Sequence, residues 1–246
     1  MTLDWLKNIK VAHRGLHNEQ YPENSIGAFE NAIKHHFVIE LDVQLLSDNT
    51  LVVFHDPTLT RMCGENIAIS KLTSQNLDKY HLLDSQYTIP TLHQVLDTIS
   101  GSVPIIIEIK PCKNRKLISQ LVYQTLQEYS GEYAIKSFDH LIVRWFRKHA
   151  PHIPRGMLSS YFRTIKLNIL YRFVITRLLL AKTIRPDFIS YEWHDIPNRY
   201  LNKYLKNHNI PILAWTIKDS RQEDYIMQFA DNIIFEGYLP HNHLNN

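Results

Sequence analysis

Val11-Ala12-His13-Arg14-Gly15, then Pro22-Glu23-Asn24-Ser25, Val38-Ile39-Glu40-Leu41-Asp42-Val43 and Val52-Val53-Phe54-His55-Asp56, decide how the chain is read. Three of the four are short apolar runs of strand composition that carry, or end in, ionisable side chains. Burying such groups is costly unless something binds them. Glu40 and Asp42 lie two apart on one strand, so their carboxylates share a face, while Ile39, Leu41 and Val43 point the other way. Two like charges side by side repel, and a divalent cation removes that repulsion. Oxygen ligands of this kind suit Mg²⁺ or Ca²⁺ better than Zn²⁺.

The device recurs in Ile105-Ile106-Ile107-Glu108-Ile109-Lys110, where Glu108 and Lys110 share one face. Apolar neighbours argue for burial on both faces, which makes Glu108 a third metal ligand and Lys110 a contact for a phosphoryl oxygen. The competing reading is an ordinary ion pair on a solvated face. His13 and His55 each end a strand, beside Arg14 and Asp56. Imidazoles that titrate near neutrality can serve as base and acid on opposite sides of a phosphorus centre. The forked Arg14 guanidinium matches phosphate geometry. Glu23 either orients Arg14 or His13, or is a helix-start carboxylate favoured by the helix dipole.

Outward from this stretch the pattern repeats. Apolar runs at 9–12, 38–45, 51–54, 103–109, 133–135, 156–158, 188–191, 212–215 and 233–235 read as strands. Helical periods at 26–33, 90–99, 117–129, 141–148, 198–207 and 220–229 separate them, with Asn24 or Ser25 as the cap of the first. Roughly eight strands with interposed helices predict an α/β chain of the (β/α)8 TIM-barrel class. An open doubly wound sheet is the runner-up, but no Gly-x-Gly-x-x-Gly follows a strand and there is no P-loop. Residues 57–90 are irregular and read as a short insertion after His55-Asp56. No linker divides the chain, so residues 1–246 are expected to form a single domain.

Composition narrows the classes. At 44% hydrophobic and 21% charged the chain is of ordinary globular type. A net charge of +3 is too small to imply nucleic acid as a partner. Cys63 and Cys112 lack metal-ligand spacing and read as free thiols of a reducing compartment. Met1 to Lys7 has no leader-like pattern, and no apolar run is long enough to span a bilayer, so the expected location is cytoplasmic. Residues 161–186 stand apart. They hold Arg163, Lys166, Arg172, Arg177, Lys182 and Arg185, no acid, and many Leu and Ile. As one amphipathic helix this segment would rest on an anionic membrane surface as a peripheral contact. An ordinary barrel helix with a buried face, or a homodimer contact, is the competing reading.

Taken together, His13-Arg14-Gly15, Pro22-Glu23-Asn24-Ser25 with Ala28-Phe29, Glu40-x-Asp42 and His55-Asp56 resemble the signature of the glycerophosphodiester phosphodiesterase family. Pro90-Thr91-Leu92 with Val95-Leu96, Glu108-x-Lys110, Ser137-Phe138 and Ala214-Trp215-Thr216 extend the resemblance in the family's order. It implies a TIM barrel with a small insertion after the His-Asp motif. It also implies a small-molecule glycerophosphodiester substrate, hydrolysed to glycerol 3-phosphate and an alcohol with Ca²⁺ or Mg²⁺. Carried over, Glu40, Asp42 and Glu108 match the metal ligands, and His13 and His55 the acid–base pair. Arg14 and Lys110 match the phosphate contacts, and Trp215 an aromatic against the glycerol carbons. One departure falls near the end, where the family's Thr-Asp is replaced by Phe235-Glu236.

Two other functions compete. One is a related barrel phospholipase acting on lysophospholipid or phospholipid headgroups at a membrane. The other is a non-catalytic phosphate-binding barrel, against which the intact His13, Glu40, Asp42, His55 and Glu108 argue.

Overall fold

The computed structural model describes residues 3–161, 163, 169–206 and 208–241. Its elements in chain order are α1 (Trp5–Asn8), β1 (Val11–Ala12), α2 (Ile26–Lys34), β2 (Val38–Leu45), β3 (Leu51–Val53), α3 (Thr60–Cys63), α4 (Leu92–Ile99), β4 (Ile105–Ile109), α5 (Arg115–Gln127) and β5 (Tyr133–Ser137). There follow α6 (His140–His149), β6 (Arg155–Ser159), α7 (Ile169–Thr176), α8 (Ala181–Ile184), β7 (Phe188–Glu192), α9 (Arg199–Leu205), β8 (Ile212–Ile217), α10 (Ser220–Ile226) and β9 (Asn232–Phe235). The fold is a (β/α)8 barrel. Two compact bodies can be distinguished, residues 11–133 and residues 1–10 with 134–246.

In the first body β2 lies between β1 and β4, parallel to both, with Val11 opposite Val38 and Asp42 opposite Glu108. Strand β3 differs: it returns antiparallel to β2, with Val43 opposite Val53. Only residues 46–50 join them, far fewer than the dozen or so a parallel crossover needs. This explains nine strand-like runs in a chain of the eight-stranded class. Ser25 caps α2 by accepting from the Ala28 N–H at 3.1 Å, and Thr91 with Gln94 forms a capping box on α4. Strand β4 is buried along its whole length, as a parallel strand covered on both faces should be.

The insertion is built, not loose. Besides α3 it has 3₁₀ turns at Ile69–Lys71 and Ser74–Lys79. Its Leu59, Met62, Ile69, Leu77 and Leu82 form an apolar cluster with Val52 and Phe54 of the hairpin.

In the second body β5 to β9 form a parallel sheet in chain order. Asn232 ties α1 to β9 by donating to the Leu6 and Ile9 carbonyls at 3.0 and 2.7 Å. The expected single basic helix over 161–186 is not what forms. Helix α7 ends before Leu178, whose φ of 54° breaks helical continuity, and α8 ends at Arg185, with φ 45°. Lys166 lies outside the described residues; Arg163 precedes α7 in a turn, Arg177 follows α7 and Arg185 ends α8, so these three do not share one helix. Among the described residues no helix is long and apolar enough to cross a membrane.

Candidate active site

Strand β2 presents Glu40, Asp42 and Gln44 at alternate positions, on one side of the strand. The register with β4 sets Glu108 directly opposite Asp42. The three carboxylates are 0%, 1% and 5% exposed. Each offers an oxygen, and these oxygens all lie within 4.8 Å of one another. Oxygens bound to one Ca²⁺ at about 2.3–2.6 Å are at most about 5 Å apart, so the set spans a single ion. Among the described residues no other acid, histidine or cysteine group meets this condition. The donor chemistry, all carboxylate and buried, fits a hard divalent cation.

Two cations already sit on this cluster. Lys110 Nζ is 2.8 Å from Glu108 Oε1 and 3.0 Å from Asp42 Oδ1. Arg14 Nε is 3.4 Å from Asp42 Oδ2, and its backbone N–H donates to Glu40 Oε2 at 3.1 Å. Burial pushes the Asp42 carboxyl up, but Lys110, Arg14, His55 and the Asn24 amide outweigh it and hold it well below the usual carboxylate range. Burial likewise opposes the Lys110 charge, and Asp42 and Glu108 reverse that, leaving the ammonium above its ordinary value.

The turn after β1 carries His13 and Arg14. Arg14 has φ 55° and Gly15 φ 79°. A Cβ at Gly15 would meet the Ala28 backbone at 2.9 Å, so only glycine allows the turn to press on α2. His13 Nε2 stands 4.0 Å from Glu40 Oε2. Arg14 Nη1 donates to Glu23 Oε1 at 2.7 Å. His55 follows β3, with Nδ1 2.7 Å from Asp56 Oδ1.

Three residues of this constellation have no place in the sequence reading as site residues. Asn24, one of the two cap candidates, donates to Asp42 Oδ2 at 3.0 Å, and Ser25 does the capping. Gln44 donates to the carbonyls of Phe54 and Asp56, both at 2.8 Å, and so fixes the loop that carries His55. The alternation Glu40, Asp42, Gln44 is the signal that marks it. Arg61, on α3 of the insertion, donates to Glu23 and Asp56; nothing local in the sequence points to it.

The remaining assignments lie in the second body. Trp215, on β8, is half-buried and meets Phe138 edge to face at 5.7 Å. The departure at the last strand has a structural outcome. Phe235 is buried against Tyr238, and Glu236 pairs with Lys218 at 2.8 Å.

Residues 13–235 match the model of the glycerophosphoryl diester phosphodiesterase family. A glycerophosphodiester phosphodiesterase of Caldanaerobacter subterraneus subsp. tengcongensis is 34% identical over 89% of this chain and 88% of its own length. A lysophospholipase D of Homo sapiens is 31% identical over 83% of this chain and 67% of its own. A phosphodiesterase of Oleispira antarctica, solved with its product sn-glycerol-3-phosphate, superposes with a TM-score of 0.79 over 93% of this chain and 92% of its own, at 20% identity. The chain belongs to the glycerophosphoryl diester phosphodiesterase family and, with it, to the phosphoric diester hydrolases.

Proposed function

We propose that the protein hydrolyses glycerophosphodiesters to glycerol 3-phosphate and an alcohol, using Ca²⁺ or Mg²⁺ at Glu40, Asp42 and Glu108 and two histidines. The observation that carries this reading is the buried triangle of carboxylates on β2 and β4, with Arg14 and Lys110 at its edge. A divalent cation there supplies Lewis acidity, which neutralises phosphate charge and sharpens the adjacent glycerol hydroxyl. Arg14 and Lys110 present fixed donors to the remaining phosphoryl oxygens. One histidine takes the proton of that hydroxyl as its oxygen attacks phosphorus. The other gives its proton to the departing alcohol oxygen as the P–O bond breaks. Water then opens the cyclic phosphate with the two roles reversed. The His55 Nδ1 contact with Asp56 leaves Nε2 of that ring for proton transfer. The family resemblance assigns Trp215 to the glycerol carbons.

The deciding experiment measures glycerol 3-phosphate release from a panel of glycerophosphodiesters, with and without a chelator. Release that survives complete chelation removes the metal from the reading. Retained turnover in both His13→Ala and His55→Ala removes the acid–base pair.

A second reading has its own support. A relative is named a lysophospholipase D, and Phe173 and Leu179 are exposed in a segment rich in arginine, with Arg177 stacked 3.5 Å over Phe173. On this reading the protein works in the cytoplasm at a membrane surface and prefers lysophospholipid. Equal turnover of dispersed and vesicle-bound substrate, with no binding to anionic vesicles, excludes it.

A further inference from the structure

The insertion after the His-Asp motif reaches the site through one side chain. Arg61 Nε donates to Asp56 Oδ2 at 2.7 Å. Its Nη1 and Nη2 grip both oxygens of Glu23, at 2.8 and 2.6 Å. Each carboxylate passes the constraint on. Glu23 Oε1 also takes the Arg14 Nη1 donor, and Arg14 Nε faces Asp42. Asp56 Oδ1 holds His55 Nδ1. The Arg61 guanidinium is planar and rigid, so its three bonds fix two carboxylates relative to one another as three flexible contacts could not.

We propose that Arg61 is a positioning residue for the hydrolysis, one guanidinium setting both the phosphate-binding arm, Glu23 with Arg14, and the proton-transfer arm, Asp56 with His55. The inference rests on the roles proposed above for Arg14 and His55. Arg61 acts through the two acids it grips. Its anchor is the apolar cluster of the insertion, where its neighbour Met62 is buried. The insertion is thereby a support of the site rather than a decoration. Leu59 and Met62 hold α3 in place, and α3 holds the fork. Loss of the fork leaves Glu23 and Asp56 each with one partner and frees both to swing. A misplacement of this order costs about 10- to 100-fold in rate.

The experiment is a pair of double-mutant cycles on the full chain with saturating Mg²⁺ or Ca²⁺. Arg61→Met is combined with Glu23→Gln and separately with Asp56→Asn, and kcat and KM are measured for each variant. The binding arm is also read without turnover, as the calorimetric Kd for glycerol 3-phosphate. Arg61→Met is expected to lower kcat about 10- to 100-fold and to raise KM and the product Kd by about tenfold. The KM loss should not add to that of Glu23→Gln, nor the kcat loss to that of Asp56→Asn. Arg61→Lys keeps the charge but not the fork, and should restore one arm only. It also carries the test if Arg61→Met does not fold. Wild-type kcat and KM in Arg61→Met, additive cycles, or full restoration of both arms by Arg61→Lys would each overturn the proposal. If wild type releases no glycerol 3-phosphate but the product Kd still shows non-additive loss, the reaction assigned above fails while the shared positioning stands.

Discussion

Buried acids are held in two different ways, one in each body. In the second body Glu223 is the buried acid of α10, beside the exposed Asp224. Lys10 Nζ stands 3.4 Å from the Glu223 carboxylate, the Tyr238 hydroxyl donates to it at 3.0 Å, and the His241 N–H at 3.2 Å. One negative charge meets one positive charge and two neutral donors, and the arrangement joins the segment before β1 to the segment after β9. In the first body Glu23, Glu40, Asp42, Asp56 and Glu108 face Arg14, Arg61 and Lys110. Here three buried carboxylates from two paired strands offer oxygens within 4.8 Å of one another, with Lys110 and Arg14 at their edge. A buried acid matched by a cation and neutral donors is framework; carboxylates crowded together on paired strands are a place for a divalent ligand.

The comparison can be broken by exchanging the roles. Asp42→Asn, or Glu108→Gln, is expected to abolish calorimetric metal binding and to lower kcat/KM on the order of 10³-fold, while the protein stays folded. Undiminished metal affinity in both would show that the carboxylate triangle is not what holds the ion. His13→Ala and His55→Ala come next, each costing about 10²–10⁴ in kcat with metal binding retained. In the other body Glu223→Gln should do the reverse. It costs about 1–3 kcal/mol of stability in denaturant unfolding, because Lys10 is left without its acid, and leaves kcat within about twofold. A large kcat loss there would erase the distinction between the clusters.

A smaller effect concerns pH. Burial works against ionised Asp48, but donors from Ser74 and Thr50 outweigh it and lower its pKa to about 2, from 3.8. A depressed folded-state pKa means the contribution is fully present above 3.8 and is lost as pH falls toward 2. Asp48→Asn should therefore flatten the acid side of the stability curve in that window and lower stability at neutral pH, where the contribution is fully present. Smallest is Cys63, whose thiol burial and nearby Glu65 push up to about 11. It should react with a thiol reagent at pH 7 far more slowly than glutathione does.

What could be read from the sequence followed its short-range periodicities. Glu40 and Asp42 were legible because a strand repeats every two residues, and the same rule reaches Gln44, whose amide went unread. Glu108 facing Asp42 depends on the register between β2 and β4, which no local pattern encodes. Asn24 and Ser25 both have cap chemistry, and the sequence does not choose between them: Ser25 caps α2, while Asn24, at φ 56°, turns its amide to Asp42. Arg61 sits 38 positions from Glu23, so their contact exists only once the insertion is folded. The basic segment failed for a different reason. Its helical period was extended across Leu178, where the backbone turns left-handed.

The press of Gly15 on Ala28 has an implication for how the chain tolerates change. In a library varied at every position and selected for turnover, site 15 should return almost nothing but glycine, since even one methyl group collides with peptide atoms that cannot step aside. Gly64, with open space around it, should accept Asn, which tolerates the same left-handed backbone. Two glycines of similar φ would thus show opposite permissiveness, set wholly by what lies within 4 Å of the missing side chain.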